Sequence, residues 1–530
     1  MIVRLRTLAC ATVTIPALVI VPLAGIDGGF HSAVKLGALL VMASRFAIAA
    51  RRCRDLTLDE ALLAAFALLA ILSTGSRLAD GAGAIGCAIA LFVIVRSTRV
   101  CMRGRWDLVE DAVACAAAVT AGIAVLELVG VRLPWAELRR PESTIGNRNQ
   151  LAGLLVIALP VLVGAVMRRR SFAAPITVLV VTVVVATHCR SAYLAALVAV
   201  AIAAVLWVIH LRRTGAAIDR IGVVAAIVAL GIVLGALPWP GVSFDPSVLD
   251  SAARVFEYES GSGHARLVQH QLGFAALADD PLAWLTGFGA GSWERVAASH
   301  AHDFGGHAPK LTSGAMPNSD LLRILVEQGL VGLAAIAAVV VSQLRRPGDD
   351  FVARTAAIAS LVAAVVLAAF DPQLVRPERI ALLGVVLGAS ARSPRVATLP
   401  HRAVEAIVMV ACAFAWLRVA SYAASSRIGV GGSTQRWEER QALAQQLFPR
   451  ASLDERRAVA LALRDRCDEA DDLLRRFLAT HPHHWGARVE LAQCFARIGR
   501  TDDARRLWND AVAVEPHVRE LLVSDAGNLR

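Results

Sequence analysis

The sequence predicts an all-α protein, a polytopic membrane helix bundle of about 12–13 spans followed by a C-terminal helical-repeat domain. Three observations lead there. Of 530 residues, 56% are hydrophobic and 18% charged, at a mean hydropathy of +0.58, whereas soluble domains carry roughly 25% charged residues. The apolar residues arrive in blocks of about 17 to 25, the length that crosses roughly 30 Å of hydrocarbon at 1.5 Å per residue. After Gly431-Gly432-Ser433 these blocks give way to amphipathic, charge-balanced segments. A simple soluble enzyme is excluded. The net charge of +11 belongs to the membrane part, because the 16 Arg of residues 434–530 are cancelled by 16 Asp and Glu. No nucleic-acid partner is expected, and the scarcity of lysine (only Lys35 and Lys310) carries no catalytic meaning.

Hydropathy places spans at 8–26, 31–49, 58–76, 81–96, 109–130, 150–167, 172–188, 191–211, 221–237, 320–343, 354–371, 378–391 and 403–420. Short cytoplasmic loops are rich in Lys and Arg. With the N-terminus inside, alternate loops hold Arg51/Arg52/Arg54, Arg96/Arg99/Arg103/Arg105, Arg168/Arg169/Arg170, Arg212/Arg213/Arg220, Arg345/Arg346 and Arg392/Arg395/Arg402. Residues 1–421 are therefore expected to be embedded in a membrane, with a linker at 422–433. The polar loop 238–319 and the domain 434–530 then face away from the cytoplasm. A loop of about 80 residues between compact spans is usually functional. It opens on a helix stop, Leu237-Pro238-Trp239-Pro240-Gly241.

The C-terminal segment repeats with a period of 34 residues, that of the tetratricopeptide helix-turn-helix. Leu491, Ala492, Phe495, Gly499, Ala504, Trp508, Ala511 and Pro516 occupy the large, small, aromatic, turn and stop positions, and Ala458, Leu461, Ala470, Leu474, Phe477 and Pro482 form a fainter copy. Two repeats are few, so residues 434–456 are expected to add a capping helix. Such domains bind proteins through a concave surface far more often than they catalyse, which makes proteins the expected partners of this segment. Nine scattered cysteines show no metal-ligand spacing. Cys467 and Cys494, on neighbouring repeat helices, are the pair that an oxidising compartment could join, a minority reading. His481, His483 and His484 before Trp485 read as a solvated turn rather than a metal site, and no metal is expected.

Intramembrane and interfacial charges are costly and therefore functional candidates. Arg190 stands between two apolar spans with almost no loop around it. Arg266 opens an amphipathic helix ending at Asp279-Asp280-Pro281, with Leu267, Leu272, Phe274 and Leu277 as its apolar side. A glycine turn follows, Gly287-Phe288-Gly289-Ala290-Gly291, able to approach a ligand closely. No Lys-Ser/Thr or strand-helix frame accompanies it, so it is not a nucleotide loop.

These residues spell a resemblance. Ser143-Thr144-Ile145-Gly146-Asn147-Arg148-Asn149-Gln150-Leu151-Ala152-Gly153 is similar to the "GTFGNPNxLAG" signature of the O-antigen ligase and polymerase family of bacterial envelope glycosyltransferases. Arg190-Ser191-Ala192 resembles its "SRGA" element and His264-Ala265-Arg266 its "xGR" element. Asp280-Pro281-Leu282 through Gly291 resembles "HPLLGxGxGxF". Asn318-Ser319-Asp320 with Leu325 to Gly332 resembles "HNxYLQLLAETGLIG". Five weak elements in order make chance an unattractive account.

The resemblance implies a GT-C-like fold in a bacterial inner membrane, with loop 238–319 and domain 434–530 periplasmic, and transfer of a glycan from undecaprenyl diphosphate to an acceptor hydroxyl on a glycan or lipid at the periplasmic face, with no metal or cofactor and with the repeats docking envelope proteins or the growing polymer. Arg190 and Arg266 match the family's two important arginines and would clamp the diphosphate, since guanidinium groups bind phosphate oxygens in a bidentate fork. Asn147, Arg148 and Asn149 with Gly287, Gly289 and Gly291 would contact substrate, although Asn147 and Asn149 equally suit capping of the next span. One departure matters. The family's proposed base is a His where this chain has Asn318, which cannot take a proton. Ser319 and Asp320 stay in the candidate catalytic set, with His302, Asp303 and His307 as nearby substitutes for the base, while Asp320 equally suits a helix-cap role. A polymerase-like or divergent member fits best. The rivals are a lipid-linked glycan transporter, which should show internal repeats among its spans, and a non-catalytic scaffold using its repeats.

Overall fold

In the computed structural model the chain is helical almost throughout. The structure describes residues 55–131 apart from 75–77 and 103–104, residues 141–241 apart from 142, 144–146 and 215–219, residues 261–300, 317–345, 350–398 apart from 373, 375 and 391–394, positions 443 and 446, and residues 451–514 apart from 481–483. The expected spans at 8–26, 31–49 and 403–420, most of the expected capping helix, and His481, His483, Pro482 and Pro516 lie outside them.

Ten of the expected spans coincide with helices: α1 (Leu58–Thr74), α2 (Leu78–Met102), α3 (Trp106–Leu128), α4 (Arg148–Met167), α5 (Ala173–Ala186), α6 (Arg190–Thr214), α7 (Ile221–Gly235), and, after the polar loop, α11 (Asp320–Leu344), α12 (Phe351–Phe370) and α13 (Pro377–Ser390). Five of them, α3, α4, α6, α11 and α12, are long and apolar enough to cross a bilayer unaided. The protein is a multi-pass membrane protein. Helix α12 packs between α4 and α6, α13 against α2, and α7 against α5. The last two contacts are close because small residues recur every fourth position, as membrane helices use them. A Cβ on Gly384 would lie 2.6 Å from Ile94, and one on Gly231 2.6 Å from Val181. A two-stranded antiparallel ladder, β1 (Asp55–Thr57) with β2 (Arg395–Thr398), ties the two loops expected on the cytoplasmic side.

Within the polar loop, α8 (Gly261–Asp279), α9 (Ala283–Thr286) and α10 (Trp293–His300) pack on the first half of α11 around Ala276, Leu277, Trp293, Val296, Leu322 and Val326. The buried side of α8 is not the expected one. Val268, Leu272, Ala276 and Leu277 are buried, whereas Leu267 and Phe274 are exposed, because α11 approaches along the Gly273 face, where a Cβ would meet Leu322 at 2.8 Å.

The C-terminal repeats form two helical hairpins, α14 (Ala451–Ala462) with α15 (Cys467–Thr480) and α16 (Trp485–Arg497) with α17 (Thr501–Val514). Ala458, Leu461, Ala470, Leu474, Phe477, Leu491, Ala492, Phe495 and Ala504 are buried in one core, Trp508 packs half-buried against it, and Ala511 is buried as well. Cys467 and Cys494 form a disulfide joining α15 to α16, so the minority reading of that pair is the observed one. His484 is not solvated. Its Nδ1 accepts the Ala487 N–H at 3.4 Å as the N-cap of α16, and its Nε2 lies 3.4 Å from Glu455.

Candidate functional site

Antiparallel alternation brings the beginnings of α4, α6, α11 and α13 and the end of α12 to one end of the bundle, and the sequence-predicted residues gather there. Ser143 starts the first motif. It is buried, its N–H donates to Glu127 at 2.8 Å and its hydroxyl to Thr120 O at 2.7 Å, which anchors this end of the motif on α3. Asn147 is the N-cap of α4, accepting from the Asn149 and Gln150 N–H groups at 2.9 and 3.3 Å. The capping alternative is therefore realised in the structure, with Asn147 exposed and Arg148 and Asn149 half-buried.

Arg190 opens α6 half-buried. Its neighbour Ser191 donates its hydroxyl to Asp371, the residue that ends α12. Arg266 reaches the same residue from α8: its Nε donates to Phe370 O at 3.0 Å and Nη2 lies 3.4 Å from Asp371 Oδ1. Two arginine motifs 76 residues apart thus meet over one buried carboxylate. The two bonds occupy two of the five N–H groups of Arg266.

Asn318 is tied by its backbone N–H to the buried Gln269 Oε1 at 2.8 Å. Ser319 is the N-cap of α11, accepting from Leu322 N at 3.2 Å and donating to Ala368 O at 3.3 Å. Asp320 is fully buried. One oxygen takes Arg323 at 2.8 Å and the other the Leu374 N–H at 2.5 Å. That arrangement staples α11 to the segment after α12, a framework role rather than that of an accessible base. His302, Asp303 and His307 lie outside the described residues.

The glycine turn docks on protein. Helix α11 is interrupted at Gly329, whose φ is 64°, which exposes carbonyls of the preceding turn. Phe288 N–H donates to Val326 O at 2.8 Å and Gly289 N–H to Glu327 O at 2.9 Å. Gly287 has φ 71°, and a Cβ there would lie 2.3 Å from Gln328 N. A side chain is barred on both counts. The glycines at 287 and 289 thus let the loop lock onto the kink, which positions α8 and Arg266. Gly291, at φ 79°, completes the turn.

Part of the chain is similar to the O-antigen ligase family. Residues 175–337 match that family, and residues 461–522 match a tetratricopeptide repeat. The ligase-family domain contains Arg190, Arg266, the glycine turn and Asn318–Asp320, while the Ser143–Gly153 motif precedes it and Asp371 follows it. No curated protein matches the chain. A glycosyltransferase-like role in surface polysaccharide synthesis follows from the family.

Sequence reading missed Asp371, Arg376 and Arg379 beside this domain, Gln269 within it, and the buried Arg323–Asp320 pair. The signal was present for the charged ones. Arg323 lies inside a span and Asp371 at the end of one, so the cost of intramembrane charge marks them as it marks Arg190. Gln269 leaves no such trace, since a glutamine on a loop helix is ordinary.

Proposed function

We propose that this chain transfers a glycan from undecaprenyl diphosphate to an acceptor hydroxyl at the periplasmic face. The observation that carries the proposal is the meeting of Arg190-Ser191 and Arg266 over Asp371. The acceptor oxygen attacks the anomeric carbon, the carbon–phosphate-oxygen bond breaks, and the lipid diphosphate leaves with the electron pair. Arg190 and Arg266 bind the diphosphate and stabilise the charge that develops on it, the electrostatic form of catalysis. Asp371 orients Arg266 and, through Ser191, the start of α6. The first-motif residues Asn147, Arg148 and Asn149 and the turn Gly287–Gly291 shape the substrate edge, with Ser319 and Asp320 holding α11 in register. Asn318 leaves the proton acceptor to another group, which favours a polymerase-like or divergent member over a typical ligase. The disulfide Cys467–Cys494 supports an oxidising location for the repeats, where they would dock envelope proteins or the growing polymer.

The test is the size distribution of undecaprenyl-linked glycan in a strain lacking the gene, complemented with wild type or Arg266→Ala. Single units accumulating on the carrier mean a polymerase, and long chains that never reach their acceptor mean a ligase. Arg190→Ala and Arg266→Ala each lower transfer by roughly 100-fold or more while inserting normally. Wild-type transfer by either variant at normal protein level removes the clamp.

A further inference from the structure

The segment 371–379, the connector after α12 together with the first turn of α13, lies outside the matched family region and outside every motif singled out in the sequence, yet it touches four of them: the first motif, Arg190-Ser191, the Arg266 element and Asn318–Asp320. Asp371 receives Ser191 and Arg266. The Leu374 N–H donates to Asp320. Arg379 holds Pro372 O at 3.3 Å and Asn149 O at 3.2 Å. Arg376 lies against Gln150. A guanidinium only donates, so the amide oxygen of Gln150 faces it, with Arg376 Nε 3.0 Å away and a terminal nitrogen on the same oxygen.

The two connector arginines differ in kind. Arg379 is fully buried and donates to backbone carbonyls of two segments, which suits positioning. Arg376 is only half-buried, and the Gln150 amide orients it without cancelling its charge. The connector and the two motif arginines together carry four guanidinium groups (Arg190, Arg266, Arg376 and Arg379) against two carboxylates, Asp371 and Glu378. That excess of cations suits an anionic phosphate ligand.

We propose that Arg376, aimed by Gln150, is a third phosphate-binding arginine of this site and selects a polyprenyl diphosphate over a monophosphate. This rests on the transferase reading above. A monophosphate is satisfied by Arg190 and Arg266. The second phosphate group needs a further donor, and Arg376 stands at the first motif, on the segment that carries Asp371, the partner of Arg266.

Binding of undecaprenyl diphosphate and of undecaprenyl monophosphate to the full-length protein in phosphatidylcholine nanodiscs tests this. Arg376→Ala is expected to weaken the diphosphate about 10- to 100-fold, the effect of a charge-assisted bond, and the monophosphate less than about threefold. Arg376→Lys recovers part of the loss, because the charge returns without the fork. Gln150→Ala, which removes the clamp and keeps the cation, costs less than Arg376→Ala. Should Arg376→Ala fold poorly, the Lys and Gln150 variants carry the comparison. Equal losses on both lipids for Arg376→Ala and Gln150→Ala would mean a helix staple and overturn the proposal. So would an unchanged diphosphate affinity in Arg376→Ala while Arg266→Ala loses it. Unchanged affinity in both arginine variants instead removes the transferase reading itself.

Discussion

Arginine does opposite things in the membrane bundle and in the repeat domain. In the bundle several arginines are buried or half-buried and pair across the fold. Arg96 and Arg99 converge on the fully buried Glu60 at 3.1 and 2.7 Å, Arg168 and Arg170 on the fully buried Glu110 at 3.4 and 3.3 Å, and Arg266 on Asp371. In the repeats it is mostly exposed and pairs locally, as in Arg466 with Glu469 and Arg475 with Asp471. Removing charge from water is expensive unless it is well paired, whereas exposed pairs contribute little. The bundle therefore uses arginine to decide which helices meet, and the repeats use it for solubility around an apolar core. Within the bundle the ends differ too. At the expected cytoplasmic end the arginines converge on glutamates, while at the site end Arg266 and Ser191 meet on one aspartate and Arg379 and Arg376 hold amide oxygens.

The sharpest way to break this contrast is Glu60→Ala, which leaves two buried guanidinium groups facing each other. It is expected to destabilise the full-length protein by about 3–5 kcal/mol, read as a lowered melting midpoint in detergent, with transfer per folded molecule unchanged. A loss of transfer without loss of stability would place function at the wrong end. Next is Cys467→Ser. Opening a loop of 27 residues should cost the repeats about 3 kcal/mol, visible as faster proteolysis of the C-terminal domain in membranes, while transfer by the bundle persists.

A smaller effect comes from His484. Burial, first, and the Arg488 cation, second, push its imidazole down to about 4 from 6.5, which keeps Nδ1 unprotonated and able to cap α16. Because the unfolded chain takes up the proton first, the stabilisation is full above about pH 6.5 and is lost as pH falls toward about 4, by order of 1–3 kcal/mol. Proteolysis of the repeat domain across that window checks it, and His484→Asn, which caps without titrating, should flatten the profile. Smallest of all is Arg475→Ala on the exposed face of α15, expected to leave the melting midpoint where it was. A clear drop there would erase the distinction between the two regions.

Much of this architecture is legible in the sequence because it follows from short-range rules. Span length follows from bilayer thickness, the basic loops mark one side, and the repeat core follows from small and large residues spaced 34 apart. Arg190 and Arg266 stand out because charge beside apolar blocks is costly. The side of α8 that is buried was not legible, since its apolar residues supply two competing faces and only the approach of α11 along Gly273 chooses between them.

The sequence by itself determined the membrane class, ten helices of the bundle, the repeat domain, and the two arginines worth attention, all properties of composition and periodicity along the chain. Only the tertiary structure decided that Asp371 receives Ser191 and Arg266 together, that Asp320 is stapled by Arg323 and Leu374, that the glycines of 287–289 serve the kink at Gly329, and that Arg376 and Arg379 join the first motif. Those are contacts between residues as far as 230 positions apart. Hydropathy and local propensity carry no information about which helix ends meet, and that is set by how small residues and buried charges let the helices pack.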